Sequence, residues 1–206
     1  CIPMAFSQDN MATEPLDQTP PPVVSRYLDQ LDAQREAAFV ACAGLSAEQI
    51  WQHPAPGEWS IGEILNHNCL VLDSFFSFAT FAWRFFSWYG RRRRNRPYAT
   101  EIDDVYRRKS FPMWVGFLWT PKYNASKPVS LEQLKTETLK IHVKMREFYT
   151  GKDEALLGNI FLYDPMIGVF NLINTLQIGI YHDQLHYDDL VKQARALRQK
   201  PLTFTI

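Results

Sequence analysis

Cysteine is scarce. The chain of 206 residues holds three, Cys1, Cys42 and Cys69, an odd number with no paired spacing. That argues against a disulfide framework and fits a reducing cytoplasm. Net charge is missing too, since 22 basic side chains balance 22 acidic ones, so no global field draws nucleic acid or an acidic partner. No basic stretch followed by an apolar core opens the chain, so no secretory signal is expected. Asp73 and Arg84 interrupt the apolar stretch that ends at Trp88, and no charge-free run reaches the roughly 18–20 residues of a membrane span. A heavily buried helix, and no membrane partner, is expected there. Internal repeats are absent, and no β pattern stands out except at Leu202–Ile206.

What is present is apolar and helical. Hydrophobic residues make up 46% of the chain and aromatics 14%, enough for one domain with a sizeable core. Residues 1–22 are polar, run into Pro20-Pro21-Pro22 and read as a disordered tail. Val24, Leu28, Leu31, Ala38 and Cys42 recur at helical steps and predict a first helix over Val23–Ala43, closed by Gly44. A polar segment leads through Trp51, Pro54, Pro56 and Gly57. Ser60 and Glu63 then form a capping box, with Trp59 and Ile64 placed as a hydrophobic staple, and open a second helix that reaches Gly90. Residues 90–129 form a long crossover or lid, rich in proline, with the basic run Arg91–Arg94 plus Arg96 answered by Glu101, Asp103 and Asp104. Its aromatic group, Phe111, Trp114, Phe117 and Trp119, is read as core or dimer interface; its functional reading is an apolar wall over a pocket. Ser130 and Gln133 start a third helix that ends near Gly151, and a fourth runs from after Pro165 to about Leu197. Four such helices make an all-α four-helix bundle the expected architecture, over residues 23–200 with a tail at 201–206.

Of five histidines, His182 and His186 lie four residues apart on the fourth helix, and His67 lies about two turns into the second. An i, i+4 pair projects from one helix face, so both imidazoles can reach one ion. A third imidazole from a facing helix would complete a three-nitrogen cap with coordination positions left open, as catalytic rather than closed structural metal sites have. Imidazole ligands suggest zinc first, with nickel, iron or manganese as alternatives. Asp183 or Glu63 could orient a ligand histidine, and His142 could approach from another side, although a solvated or groove-facing His142 is the simpler reading. His53 reads as structural, and Cys69, on another face from His67, as a small buried hydrophobe.

The run Trp51, Pro54, Pro56, Gly57, Glu58, Trp59, Ser60, Ile61, Gly62, Glu63, Ile64, Leu65 and then His67 resembles the first signature of the DinB-like (YfiT-like) family of proposed metalloenzymes. Pro165, Gly168 and His182-Asp183-Gln184-Leu185-His186 resemble the second, so the likeness spans residues 23–197. It implies an up-down-down-up bundle with a long crossover between helices two and three. It also implies one divalent metal on His67, His182 and His186, and a thiol-dependent transferase or a hydrolase that acts on a small molecule, with a low-molecular-weight thiol as partner and a homodimer as assembly. The aromatic, arginine-rich stretch Phe75–Trp119 departs from the family pattern. A non-enzymatic dimeric binding or stress protein is the alternative, and an arginine-driven nucleic-acid or membrane-surface adaptor ranks below it; no nucleic-acid fold signature accompanies the arginines.

Overall fold

A computed structural model describes residues 19–199, apart from 110, 113–115 and 117. The expected strand at Leu202–Ile206, and Trp114 and Phe117 of the crossover, lie outside the described residues. Helix α1 (Pro22–Cys42) starts on a proline, whose fixed φ and missing N–H suit the first turn. All five residues of its expected stripe are buried. The segment after it contains a short helix, α2 (Ala47–Trp51), which the sequence reading leaves as a polar connection. Five residues are too few to show a helical period.

Helix α3 (Ile61–Arg93) opens on the predicted capping box. Ser60 Oγ accepts the Glu63 N–H at 3.3 Å, and Glu63 Oε2 accepts the Ser60 N–H at 2.8 Å. Two expectations fail further along it. Gly90 does not stop the helix; it sits inside it, where a Cβ would lie 2.8 Å from the side chains of Ile160 and Leu156. Nor is the helix heavily buried throughout. Ile61–Asn68 are buried, but beyond Leu72 only Ala79, Ala82 and Gly90 are, while Phe78, Phe81, Phe85, Phe86, Trp88 and Tyr89 face outward. The basic run is likewise not answered as predicted. Arg91, Arg92 and Arg93 form the last turn of α3, Arg94 pairs with Asp153, Asp104 pairs with Arg107, and Glu101 pairs with Arg26.

The crossover then packs along the body of the protein. A 3-10 turn at Val105–Arg107 buries Val105, and Ile102, Tyr106 and Phe111 rest on the main core. Helix α4 (Leu131–Tyr149) follows, its N-cap Ser130 accepting the Gln133 N–H at 3.1 Å. After a short α5 (Glu154–Gly158) comes an antiparallel hairpin that the sequence reading misses, β1 (Phe161–Asp164) and β2 (Gly168–Asn171), with Leu162 opposite Phe170. Strands of four residues carry too few alternations to announce themselves. Helix α6 (Leu172–Gln199) therefore begins later than Pro165 suggests. Asn171 starts it by accepting the N–H groups of Ile173 and Asn174, both at 3.0 Å.

The fold is mainly helical. α1 and α3 each pack against both α4 and α6. One apolar cluster gathers Leu31, Leu72, Tyr149, Leu172 and Leu176, and a second gathers Phe39, Trp51, Ile64, Leu65, Leu134 and Leu190. The contact between α3 and α6 brings the buried first half of α3 beside the middle of α6. That contact sets where the functional side chains meet.

Candidate metal centre

His67, from the second turn of α3, faces His182 and His186, which stand one turn apart on α6. The His67 and His182 Nε2 atoms are 3.2 Å apart, and one ring nitrogen from each of the three histidines lies within 4.8 Å of the others. Two nitrogens bound about 2.0–2.1 Å from one tetrahedral ion stand roughly 3.3 Å apart. The His67–His182 separation thus matches one edge of a coordination polyhedron. The three histidines lie close enough to hold one ion.

Their chemistry suits a cation. His67 Nδ1 lies 2.9 Å from the Trp119 carbonyl oxygen, so Nδ1 carries the hydrogen and Nε2 keeps its lone pair toward His182. Burial lowers the His67 pKa to about 4, against the opposing pull of the Trp119 carbonyl and with help from nearby His182. Burial brings His182 to about 3 as well, and His186 to about 3 with contributions from the other two rings. Three neutral imidazoles at one point give a cation three lone pairs and no competing proton near neutral pH.

A cavity of about 240 Å³ opens onto the three rings. Trp59, Val71, Phe75, Tyr106, Phe111 and Trp119 supply much of its wall, and the hairpin adds Ile167 and Asp164. Trp119 is held at both ends, since its indole N–H donates to Ser74 Oγ at 2.7 Å while its carbonyl accepts from His67. Phe111 and Trp119 therefore wall the pocket, as the functional reading of the crossover requires.

Residues 30–190 match the DinB superfamily. The chain belongs to the DinB superfamily. No curated protein and no solved structure gives a match. This DinB protein brings together the three histidines that its two signatures single out, although 115 residues separate His67 from His182.

The other candidates stand elsewhere. His142 Nδ1 is 2.8 Å from Asp32 Oδ1, in a network that Arg146 joins. His53 pairs with Glu63 at 3.3 Å, as a structural residue would, and Glu63 is spent on the helix cap. Asp183 Oδ1 is 3.7 Å from His182 Nδ1, too far for a hydrogen bond, and burial raises this carboxyl to about 7 against the influence of His142. Burial raises the Cys69 thiol to about 11, which leaves it unreactive at neutral pH. The group that orients His67 is instead the backbone carbonyl of Trp119, which no side-chain motif could reveal. Tyr106, Asp164 and Ile167 also join the cavity without a sequence signal, because the crossover and hairpin reach it only through tertiary packing.

Proposed function

We propose that this DinB protein is a metal-dependent enzyme in which His67, His182 and His186 hold one divalent ion, zinc first and nickel, iron or manganese next. It activates a thiol or a water for transfer or hydrolysis on a small molecule. The observation that carries this reading is the convergence of three neutral imidazoles at the floor of an apolar cavity with one side open. Held by His67, His182 and His186, a divalent ion would supply the Lewis acidity that makes water or a thiol a nucleophile near neutral pH. The chain's own residues do the rest. Trp119 fixes the His67 tautomer through its carbonyl. Phe75, Phe111 and Ile167 exclude bulk water and favour a substrate with an apolar body. The four long helices are read as the family's up-down-down-up bundle, one domain over 23–200 with 90–129 as its lid. The free thiols of Cys42 and Cys69 suit a reducing cytoplasm.

The test is direct. Protein purified without nickel affinity should carry about one metal per chain by elemental analysis. Metal-loaded protein, screened against electrophiles with several small thiols, should turn over at least one pair, and chelation should abolish the activity until metal is restored. Full occupancy without turnover for any pair would leave a binding protein, and a collapse of thermal stability on chelation would make the ion structural.

A pH dependence follows from the lowered pKa values. A base whose folded pKa is depressed stays ready to ligate above that value and is lost as pH falls through it. The window here lies near pH 3–4 rather than near 6.5. From about pH 7.5 to about 5.5, zinc affinity should change by less than about tenfold, whereas three ordinary exposed imidazoles would lose about a thousandfold. Competition titration with a fluorescent chelator measures the difference. A thousandfold loss would mean that the rings are solvated.

A further inference from the structure

The second half of α3 carries a surface that the metal site does not use. Phe78, Phe81, Phe85 and Trp88 recur at three- and four-residue steps and are 42%, 52%, 51% and 54% exposed. In this half-helix Ala79, Ala82 and Gly90 are buried, and Phe75, Phe76 and Trp83 are half-buried against the main core. An 18-residue window of α3 has a mean hydropathy of 1.3, yet 22% of that window is buried. The expectation of no membrane partner assumed a buried helix, and that assumption does not hold here.

The apolar face ends in positive charge. Between residues 74 and 100 the chain has six arginines, Arg84, Arg91–Arg94 and Arg96, and no aspartate or glutamate. Among the described residues only Arg94 of these six forms an ion pair. The Arg92 guanidinium lies 5.0 Å from the Trp88 ring centroid, and that of Arg93 lies 5.4 Å from Tyr89 and 5.7 Å from Phe161. Arg93 thereby joins α3 to the outer face of the hairpin, where Tyr163 and Val169 are cross-strand partners and both exposed. Phenylalanine, then tryptophan and tyrosine, then arginine is the order of polarity met on passing from acyl chains through headgroups to phosphate.

We propose that this face docks on a bilayer surface bearing anionic headgroups. α3 meets the surface at a slant with its phenylalanines deepest and does not cross it, because Arg84 interrupts the apolar stretch and one side of the helix is packed on the protein. The phenylalanines enter the boundary between headgroups and acyl chains, Trp88 and Tyr89 sit at headgroup level, and Arg91, Arg92 and Arg96 meet phosphate. A second copy of the chain is a poorer occupant, since copies paired antiparallel through the phenylalanines would leave Arg91, Arg92 and Arg96 of each without an anionic partner. RNA is poorer as well, because phosphate contacts leave the exposed phenylalanine stripe in water. The proposal stands independently of the metal reading.

The experiment is sedimentation of the intact protein with phosphatidylcholine vesicles, with and without about one-third phosphatidylglycerol. Binding to the anionic vesicles is expected to be at least about tenfold tighter, and to weaken as salt rises from about 0.1 M toward 1 M. Phe81→Ser combined with Phe85→Ser should abolish it. Arg91→Gln combined with Arg92→Gln should weaken anionic binding by on the order of tenfold. These side chains are exposed, so the thermal midpoint and far-ultraviolet spectrum should not change, and His67→Ala should bind vesicles as the unaltered chain does. No binding at millimolar anionic lipid overturns the proposal. So does a stable dimer that the phenylalanine pair disrupts while vesicles are ignored, or salt-sensitive RNA binding without vesicle binding.

Discussion

Replacing His182 with alanine is expected to abolish metal binding while leaving the fold in place. Its Nε2 stands 3.2 Å from that of His67, so it would supply one corner of the proposed site. With two imidazoles left, affinity should fall by well over the roughly 10–100-fold that loss of a mere supporting group causes. Metal content after dialysis should drop from about one per chain to background. Stability should hardly suffer without metal. The ring is buried with Nδ1 unpartnered among the described residues, so alanine removes a polar group whose burial already costs free energy. Unchanged metal content in this variant would sink the three-histidine site, because the ion would have to be bound elsewhere.

Gly62→Ala is expected to destabilise the fold strongly for the addition of a single methyl. A Cβ there would lie 2.6–2.7 Å from three atoms of the Trp51 ring. That ring cannot swing aside cheaply, since Trp51 is buried and its indole N–H donates to the Val129 carbonyl at 3.1 Å. Overpacking of this kind costs about 1–3 kcal/mol, and the rigid backbone on both sides puts this case at the upper end. The helix must shift against α2 to relieve the clash, and His67 lies five residues further along the same helix. Urea unfolding should therefore show a lower midpoint with an unchanged slope, and metal affinity should fall in parallel. A midpoint within error of the unaltered chain would show that the α2–α3 contact is softer than its geometry implies.

Gly62 also shows where reading the sequence stops. Its place in the first signature is plain, but the reason for glycine there is the indole of Trp51 on α2, and although the Ser46 and Gln49 capping box marks that helix, nothing local places it against α3. Ser60 and Glu63 are different, because capping is local chemistry between residues three apart, and both halves of the box form as the spacing predicts. The i, i+4 spacing of His182 and His186 is legible on the same grounds. The Phe78–Trp88 stripe misleads for a related reason. Apolar residues at helical spacing predict a helix, which is correct, and a buried face, which requires a partner that the described residues do not supply there.

Sequence alone determined the elements whose causes lie within a turn or two of chain. These are the capped starts of α3 and α4, the buried stripe of α1, the histidine pair on α6 and the membership signalled by two short motifs. Tertiary structure decided everything that depends on distant segments meeting. It set the His67 nitrogen beside His182, placed the Trp119 carbonyl on the far side of the His67 ring, and closed the cavity with the crossover and hairpin. Among the described residues it also left one face of the second half of α3 exposed. The physical reason is range: capping hydrogen bonds and helical periodicity act over a few residues, whereas burial depends on which surfaces the whole chain brings together.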